Sequence, residues 1–171
     1  MSVQFTILGS GSSGNCAYLE TPEARLLIDA GLSGRQIRQR LLSIARTPEN
    51  LTGILITHEH HDHIQGLAVL AAKLNVPIYC NRLTKEAIEL FVGAPVRCNL
   101  FTTGGSFDVN DVRVDTFSVP HDAYDPVGFL LSGPAPAHRT LSRRPQRKSR
   151  RRPMTCLFIR DPAWCPAISL G

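Results

Sequence analysis

The first 131 residues carry short apolar stretches with two kinds of spacing, which predict strands and helices in turn. Alternating apolar and polar positions predict strands, whereas apolar positions three and four apart predict helices. Strands are predicted at residues 3–8, 16–20, 25–29, 51–57, 77–80, 96–101, 106–109, 112–119 and 127–131, and helices at residues 33–45, 66–74 and 84–91. This mixture predicts an α/β (α+β) fold with helices outside stacked sheets.

The helix predicted at residues 33–45 has a recognisable start and two distinct faces. Ser33 is a residue type that caps helix N-termini through its hydroxyl. Ile37 and Leu41 fall on one face, and Arg35 and Arg38 fall on the other. We expect the apolar face to be buried and the basic face to be solvated.

The character of the chain changes at residue 134. Residues 134–171 contain six of the twelve prolines and a cluster of arginines, and no hydrophobic period continues there. Such a composition buries too little apolar area to offset its ordering entropy, so we expect a disordered basic tail after a domain at residues 1–133. A reading-frame shift or truncated gene is the favoured origin; a native arm for nucleic acid and an unrelated fused segment stay open.

Charge and cysteine content indicate whether the body of the chain binds phosphate and whether it forms disulfides. Residues 1–131 hold 10 basic and 13 acidic residues, net −3, and the remainder carries +8, which gives the total of +5. The basic balance therefore belongs to the tail and does not mark the body as a phosphate-binding surface. Five cysteines without a C-x-x-C pair predict neither disulfides nor a cysteine-rich zinc site. Without a signal-like or membrane-length apolar run, we expect a cytoplasmic protein with no membrane contact.

Candidate chemistry is concentrated at residues 58–63, where four histidines and Asp62 fall within six positions. Imidazole and carboxylate are ligands that suit zinc and manganese. His58 and His60 can point the same way from an extended segment, while Asp62 and His63 can turn to a second point. The spacing thus predicts two ions. A fortuitous His-rich loop is the alternative, but a predicted strand before the cluster and a predicted helix after it favour a metal site.

The segment GSGSSG at residues 9–14 satisfies the dinucleotide-binding pattern G-x-G-x-x-G. That site requires a helix directly afterwards, whereas a strand and Pro22 follow here. We therefore interpret the segment as a tight glycine turn. The side chains of Ser10, Ser12, Ser13 and Asn15 are candidates for contact with a substrate phosphate.

Four motifs together resemble the metallo-β-lactamase (MBL) fold superfamily, and more narrowly its bacterial 5′→3′ exodeoxyribonuclease branch. They are LGSGSSGN at residues 8–15, LIDAG at residues 27–31, THEHHDH at residues 57–63 and VPHDA at residues 119–123 followed by PVGF. The resemblance covers about residues 3–133. It implies an αββα sandwich, of which this chain holds the N-terminal half and part of the second sheet.

The resemblance also implies ligands and an activity. His58, His60 and His121 would hold one divalent ion, zinc or manganese, and Asp62 and His63 a second. Asp29, and with it the turn residue Asp122, would orient the ligand side chains without contacting an ion itself. Asp62 and His63 would then act in catalysis, and the chain would cleave phosphodiesters in nucleic acid, with DNA as the expected substrate.

The sequence departs from this family after residue 133. The family pattern continues with a strand ending in Thr-Asp-x-Gly, whose Asp bridges the ions, and later with a His; neither has a match here. We expect an incomplete second site, reduced or absent activity, and apolar strand faces left without cover. His61 and Glu59 are expected to face outward.

Two other functions stay open. A thioester or lactam hydrolase of the same superfamily would use the same histidines, although residues 9–15 and 119–123 favour the nuclease branch. A non-enzymatic basic module that binds nucleic acid would instead make the tail the functional part. Oligomeric state cannot be predicted from these patterns.

Overall fold

The computed structural model of the chain describes residues 3–133. Nine strands follow in chain order: β1 (Gln4–Gly9), β2 (Cys16–Glu20), β3 (Arg25–Ile28), β4 (Gly53–Leu55), β5 (Ile78–Cys80), β6 (Cys98–Leu100), β7 (Ser106–Val109), β8 (Val112–Ser118) and β9 (Val127–Ser132). The helices are α1 (Gly34–Ser43), α2 (His61–Ile64), α3 (Leu67–Leu74) and α4 (Arg82–Val92), with a 3-10 turn at Pro48–Asn50. The predicted α/β class is confirmed by this mixture of strands and helices.

Strands β1 to β6 form one sheet in sequence order. β1, β2 and β3 are antiparallel, whereas β3, β4, β5 and β6 are parallel neighbours. The carboxyl ends of the parallel strands therefore meet along one edge. Residues directly after those strands can approach one another there, as in other sheets with parallel strands.

Helix α1 begins as its sequence predicts. Ser33 and Gln36 form a reciprocal capping box, and Ile37 and Leu41 are fully buried. α1 and α3 contribute to an apolar core against one face of the large sheet, which includes Leu27, Ile54 and Leu67. This core holds the carboxyl ends of β3 and β4 in place.

A second core lies between the two sheets. β7, β8 and β9 form an antiparallel sheet whose apolar side chains pack on the other face of the large sheet. Phe129 and Val114 from this sheet lie in one cluster with Leu26, Ile28 and Leu55. The expectation that the strand faces would lack cover is therefore wrong for the large sheet, because apolar clusters pack on both of its faces.

Two predicted boundaries need correction at the centre of the chain. The strand predicted at residues 51–57 is reduced to Gly53–Leu55, since the backbone N–H of Thr57 donates to the Asp29 side chain and not to a neighbouring strand. The segment expected to be a ligand loop contains the short helix α2. Its four residues are too few to display an apolar period.

Several predictions fall outside the described residues. The basic tail at 134–171, its origin and its proposed role with nucleic acid lie there, and the domain division at residue 133 stays a prediction. Within residues 3–133, no helix has the length and apolar character needed to cross a membrane.

Candidate metal centre

The four predicted motifs meet at one edge of the large sheet. Asp29 directly follows β3, Thr57 and His58 lie two and three residues beyond the end of β4, and Asp62 and His63 lie on α2. His121 comes from the loop between β8 and β9 of the second sheet. The site thus lies where the two sheets and α2 converge.

Three histidines form a group with the geometry of a metal site. One ligand nitrogen from each of His58, His60 and His121 can be chosen so that all three lie within 4.8 Å of one another. His121 Nε2 lies 3.2 Å from His60 Nδ1. The ring centroids of His58 lie 4.6 Å from those of both His60 and His121. Three imidazoles converging in this way suit zinc or manganese with a position left for water.

Asp29 is fully buried behind these ligands and accepts several hydrogen bonds. Its Oδ1 accepts from the backbone N–H of Thr57 at 2.9 Å, and the Thr57 hydroxyl lies 2.9–3.0 Å from both carboxylate oxygens. His63 Nδ1 lies 2.8 Å from Asp29 Oδ2. Because an ionised carboxylate only accepts, both the Thr57 hydroxyl and His63 Nδ1 must donate. The Nε2 lone pair of His63 is thereby directed away from Asp29.

The same reasoning sets the tautomer of His58. Its Nδ1 lies 2.9 Å from the Thr57 hydroxyl oxygen. Since that hydroxyl gives its proton to Asp29, it accepts from His58 Nδ1–H, which leaves the lone pair on Nε2. This Nε2 is buried without a hydrogen-bond partner among the described residues. An orphaned buried acceptor within a group of imidazoles fits a ligand position.

The electrostatics of the group keep His58 neutral. Burial, followed by the charges of the neighbouring His63, His60 and His121 imidazoles, lowers the pKa of His58 to about 2. A neutral imidazole is the form that binds a metal ion.

Asp62 and His63 form a second pair of potential ligands. Asp62 Oδ2 lies 3.6 Å from His63 Nε2. The Asn15 amide nitrogen lies 2.9 Å from Asp62 Oδ2 and 3.1 Å from His63 Nε2. Asn15 was predicted to contact substrate, yet it is buried and contacts both members of the pair.

The backbone of α2 is clamped by the loops after β1 and β3. The Asn15 N–H donates to the Asp62 carbonyl at 2.7 Å, and the Ala30 N–H donates to the His63 carbonyl at 2.8 Å. Gly31 lies so close that a Cβ there would fall 1.5 Å from the Asp62 carbonyl oxygen. A glycine is therefore required at this position, which accounts for the last residue of LIDAG.

The loop that carries His121 is attached to the same region. The Val127 N–H donates to the Thr57 carbonyl at 3.0 Å, and the Tyr124 N–H donates to Glu59 Oε1 at 2.8 Å. Glu59 is half-buried, so the expectation that it faces outward is wrong. Its carboxylate ties the loop of one sheet to the ligand segment of the other.

The remaining predicted residues lie around the site without joining the ligand group. Ser10, Ser12 and Ser13 are exposed on the loop that ends at Asn15. Asp122 is exposed, and no hydrogen bond links it to the ligand imidazoles within the described residues. His61 is exposed with its ring centroid 5.5 Å from that of Phe91, in keeping with its predicted outward orientation.

Thr57 is the functional residue that the sequence reasoning missed. Its hydroxyl links Asp29 to His58, and its backbone N–H fixes Asp29. A hydroxyl residue directly before the first histidine was the available signal. Its role depends on a carboxylate 28 positions earlier, which spacing alone does not disclose.

Comparison with known proteins agrees with the fold and the motifs. The Metallo-beta-lactamase superfamily matches residues 9–140. Exodeoxyribonuclease WalJ of Streptococcus pneumoniae is 45% identical over 127 residues, which are 72% of this chain and 47% of that protein. Exodeoxyribonuclease YycJ of Bacillus anthracis is 41% identical over 133 residues, 77% of this chain and 50% of that protein. The chain spans about half the length of these curated relatives.

Solved structures share the fold at lower identity. A B3 metallo-beta-lactamase with an active-site glutamic acid aligns with a TM-score of 0.66 at 17% identity, over 78% of this chain and 56% of that one. A diphosphatase of the PhnP family aligns with a TM-score of 0.62 at 19% identity, over 77% and 63%. The two packed sheets and the family match confirm the predicted metallo-β-lactamase-type fold, and they extend the similarity from four motifs to most of the chain. The chain belongs to the metallo-beta-lactamase superfamily of metallo-hydrolases.

Proposed function

We propose that the chain is part of a metal-dependent phosphodiesterase that removes nucleotides from the 5′ end of DNA. The observation that carries the proposal is the convergence of His58, His60 and His121 beside Asp62 and His63. The identity to the WalJ and YycJ exodeoxyribonucleases supports DNA as the substrate.

The residues present fit two ions of unequal affinity. His58, His60 and His121 would hold the first ion, and Asp62 and His63 would contribute to a second. Bound zinc or manganese would supply a water of lowered pKa and would neutralise charge on the phosphoryl oxygens. Two protein ligands form a weak site, so the second ion is expected to bind less tightly than the first.

The chain's own residues organise this chemistry in advance. Asp29 and Thr57 hold His58 and His63 with their Nε2 lone pairs available. The backbone bonds from Asn15 and Ala30 fix α2, so Asp62 and His63 do not have to be ordered when an ion binds. Such preorganisation reduces the entropy lost on metal binding.

Aromatic side chains around the site support a single-stranded nucleic-acid substrate. The Tyr124 side chain is 74% exposed, and its backbone is bonded to Glu59 of the ligand segment. Phe91 is 44% exposed and contacts His61, the neighbour of Asp62. Exposed rings beside a phosphodiesterase centre are suited to stacking against unpaired bases.

The lactam or thioester hydrolase stays an alternative that no contact in the site favours, and the basic nucleic-acid module rests on residues outside the described part of the chain. Cytoplasmic location also stays a prediction.

The proposal is tested with a single-stranded oligonucleotide carrying a fluorophore on one end. With zinc or manganese, the 5′ end should be shortened first, and His58→Ala and Asp62→Ala should each abolish the cleavage that remains in His61→Ala. Metal-dependent release from the 3′ end would exclude the proposed polarity. If the metal-loaded chain hydrolyses a lactam or a thioester and cleaves no phosphodiester, the DNA hydrolase proposal fails.

A further inference from the structure

The Asn15 amide lies at the position from which a second ion would be held. Its nitrogen is 2.9 Å from Asp62 Oδ2 and 3.1 Å from His63 Nε2. Its orientation is fixed, because the backbone N–H of Gly11 donates to the Asn15 amide oxygen at 3.0 Å. The nitrogen must therefore be the atom that faces Asp62 and His63.

His63 has a single lone pair to offer at this position. Its Nδ1 proton is committed to the buried Asp29 carboxylate at 2.8 Å, so Nε2 is the only ring nitrogen that can accept. Nε2 can receive the Asn15 amide proton or bind an ion, but it cannot do both. Asp62 differs, since a carboxylate oxygen has a further lone pair available.

We propose that the Asn15 amide and the second ion compete for the Nε2 lone pair of His63, and that ion binding displaces the Asn15 side chain. This inference rests on the proposed metal centre. Asn15 is then a positioning residue. Its amide holds the Asp62 and His63 side chains in place before the second ion binds, and it is displaced when that ion binds.

Displacement of Asn15 has a consequence for the neighbouring loop. The bond from Gly11 to the Asn15 side chain braces residues 10–14, and a second bond runs from the Gly14 N–H to the Gly11 carbonyl at 3.0 Å. When the side chain leaves His63, the bond from the Gly11 N–H to the Asn15 amide oxygen should break, because the bond from Gly14 to Gly11 holds the loop in place. Occupancy of the second position is thereby coupled to the loop that presents Ser10, Ser12 and Ser13.

Metal titration of the full chain tests the competition. Zinc is titrated into the wild type, Asn15→Ala, Asn15→Asp and the control Asn50→Ala, which removes an exposed amide remote in sequence. Alanine keeps the backbone bonds of Asn15 to the Asp62 carbonyl and from the Gly31 N–H, and it removes the competing amide donor. We expect the second equivalent to bind two- to tenfold more tightly in Asn15→Ala, the range of one net hydrogen bond. Asn15→Asp should bind more tightly still, because it adds an anionic oxygen.

Binding of the first zinc ion distinguishes a failure of this inference from a failure of the proposed function. The affinity for the first zinc ion should be unchanged in all four proteins, because His58, His60 and His121 would hold that ion, whereas the Asn15 amide contacts Asp62 and His63. If the wild type binds no zinc, the proposed metal centre itself is refuted. An intact first equivalent with a second equivalent that is unchanged, weaker or absent in Asn15→Ala would refute the competition alone.

Hydrogen exchange at the Gly11 N–H provides a readout independent of affinity and activity. In the wild type, exchange should accelerate when the second equivalent of zinc is added and not with the first. In Asn15→Ala it should be fast throughout. Protection at Gly11 that persists with both equivalents bound would refute the coupling to the loop.

Discussion

Asp29 illustrates how one buried carboxylate sets the chemistry of several ligands. It has a positive φ of 59°, a conformation that Asp and Asn tolerate better than most residues. Donors from Thr57 and His63 surround its oxygens, which offsets the cost of burying the charge. The tautomers of His58 and His63 follow from those bonds. Asp29 therefore fixes the orientation of two candidate ligands without binding an ion itself.

Asp29→Asn tests this control while preserving the backbone conformation. The amide cannot accept from Thr57 and His63 with both of its polar atoms, so the ligands lose their fixed orientation. We expect zinc affinity to fall about 10- to 100-fold, the usual effect of changing a group that orients a metal ligand. Competition against a chelating dye measures the affinity. Asp122→Asn, an exposed control, should leave it unchanged; an equal loss in both variants would contradict the role of Asp29.

Candidate metal ligands could be nominated from the sequence, whereas the contacts between them could not be predicted. The residue types and spacing at 58–63 nominated the cluster, and the resemblance carried by VPHDA nominated His121. The roles of Asn15, Thr57 and Glu59 depend on bonds to Asp62, Asp29 and Tyr124. The Asn15–Asp62 bond spans 47 positions, and the Glu59–Tyr124 bond spans 65. Such pairings arise from the folded topology and leave no periodic signal in the chain.

At the scale of elements, strands and helices with a clear period were predicted within a few residues. β2, predicted at 16–20, and β7, predicted at 106–109, agree with the structure at both ends. The bounds of β4 and the presence of α2 were not predicted, because backbone groups there bond to residues of the candidate site. The Thr57 N–H leaves the sheet for Asp29, and α2 begins at a histidine, which is not a capping residue.

Gly31→Ala tests whether the close approach of the β3 loop to α2 is needed for the site. The added Cβ would lie 1.5 Å from the Asp62 carbonyl oxygen, and backbone atoms on both sides have little freedom to move. We expect a loss of about 1–3 kcal/mol in the free energy of unfolding, as for other overpacked positions, together with weaker zinc binding.

Urea denaturation and zinc titration measure these two effects. Gly34→Ala is the comparison, because the atoms nearest to its Cβ belong to the Val69 side chain and not to a backbone carbonyl. A Gly31 variant as stable as the Gly34 variant would show that α2 can shift away without cost.

The end of β2 carries an ion pair that predicts a pH-dependent contribution to stability. Burial tends to raise the pKa of Glu20, but the hydrogen bond and charge of Arg46, with Tyr18 and Arg25 adding to them, outweigh it and lower the pKa. A carboxyl whose pKa is lowered on folding stabilises the protein above its unfolded value and loses that contribution as pH falls through the folded value. Glu20→Gln should therefore cost about 1 kcal/mol at pH 7.

Urea denaturation of Glu20→Gln and wild type at pH 7 and at pH 4 measures the difference. The difference in unfolding free energy between the two proteins should be smaller at the lower pH, because the wild-type carboxyl begins to take up a proton there. A gap that stays constant over this range would mean that Glu20 contributes by packing and not by charge.

For the whole molecule, the sandwich explains how a ligand set from both sheets is held together. His58 and His60 follow the large sheet, whereas His121 belongs to the loop of the small sheet. The apolar cluster between the sheets and the bond from Val127 to Thr57 fix their relative position. The first ion would therefore bind across the interface between the sheets and should stabilise the fold as a unit.

Zinc should accordingly raise the thermal midpoint of the chain. An ion that binds only the folded state adds about 2.7 kcal/mol at a free concentration 100 times its Kd. For a chain of this length, that corresponds to roughly 5–10 °C.

His58→Ala should lose most of the increase, because a site reduced to His60 and His121 binds weakly, whereas His61→Ala should retain it. Scanning calorimetry with and without zinc measures each midpoint. An equal increase in the His58 variant would place the bound ion elsewhere, and no increase in the wild type would mean that the three histidines do not join the sheets through a metal ion.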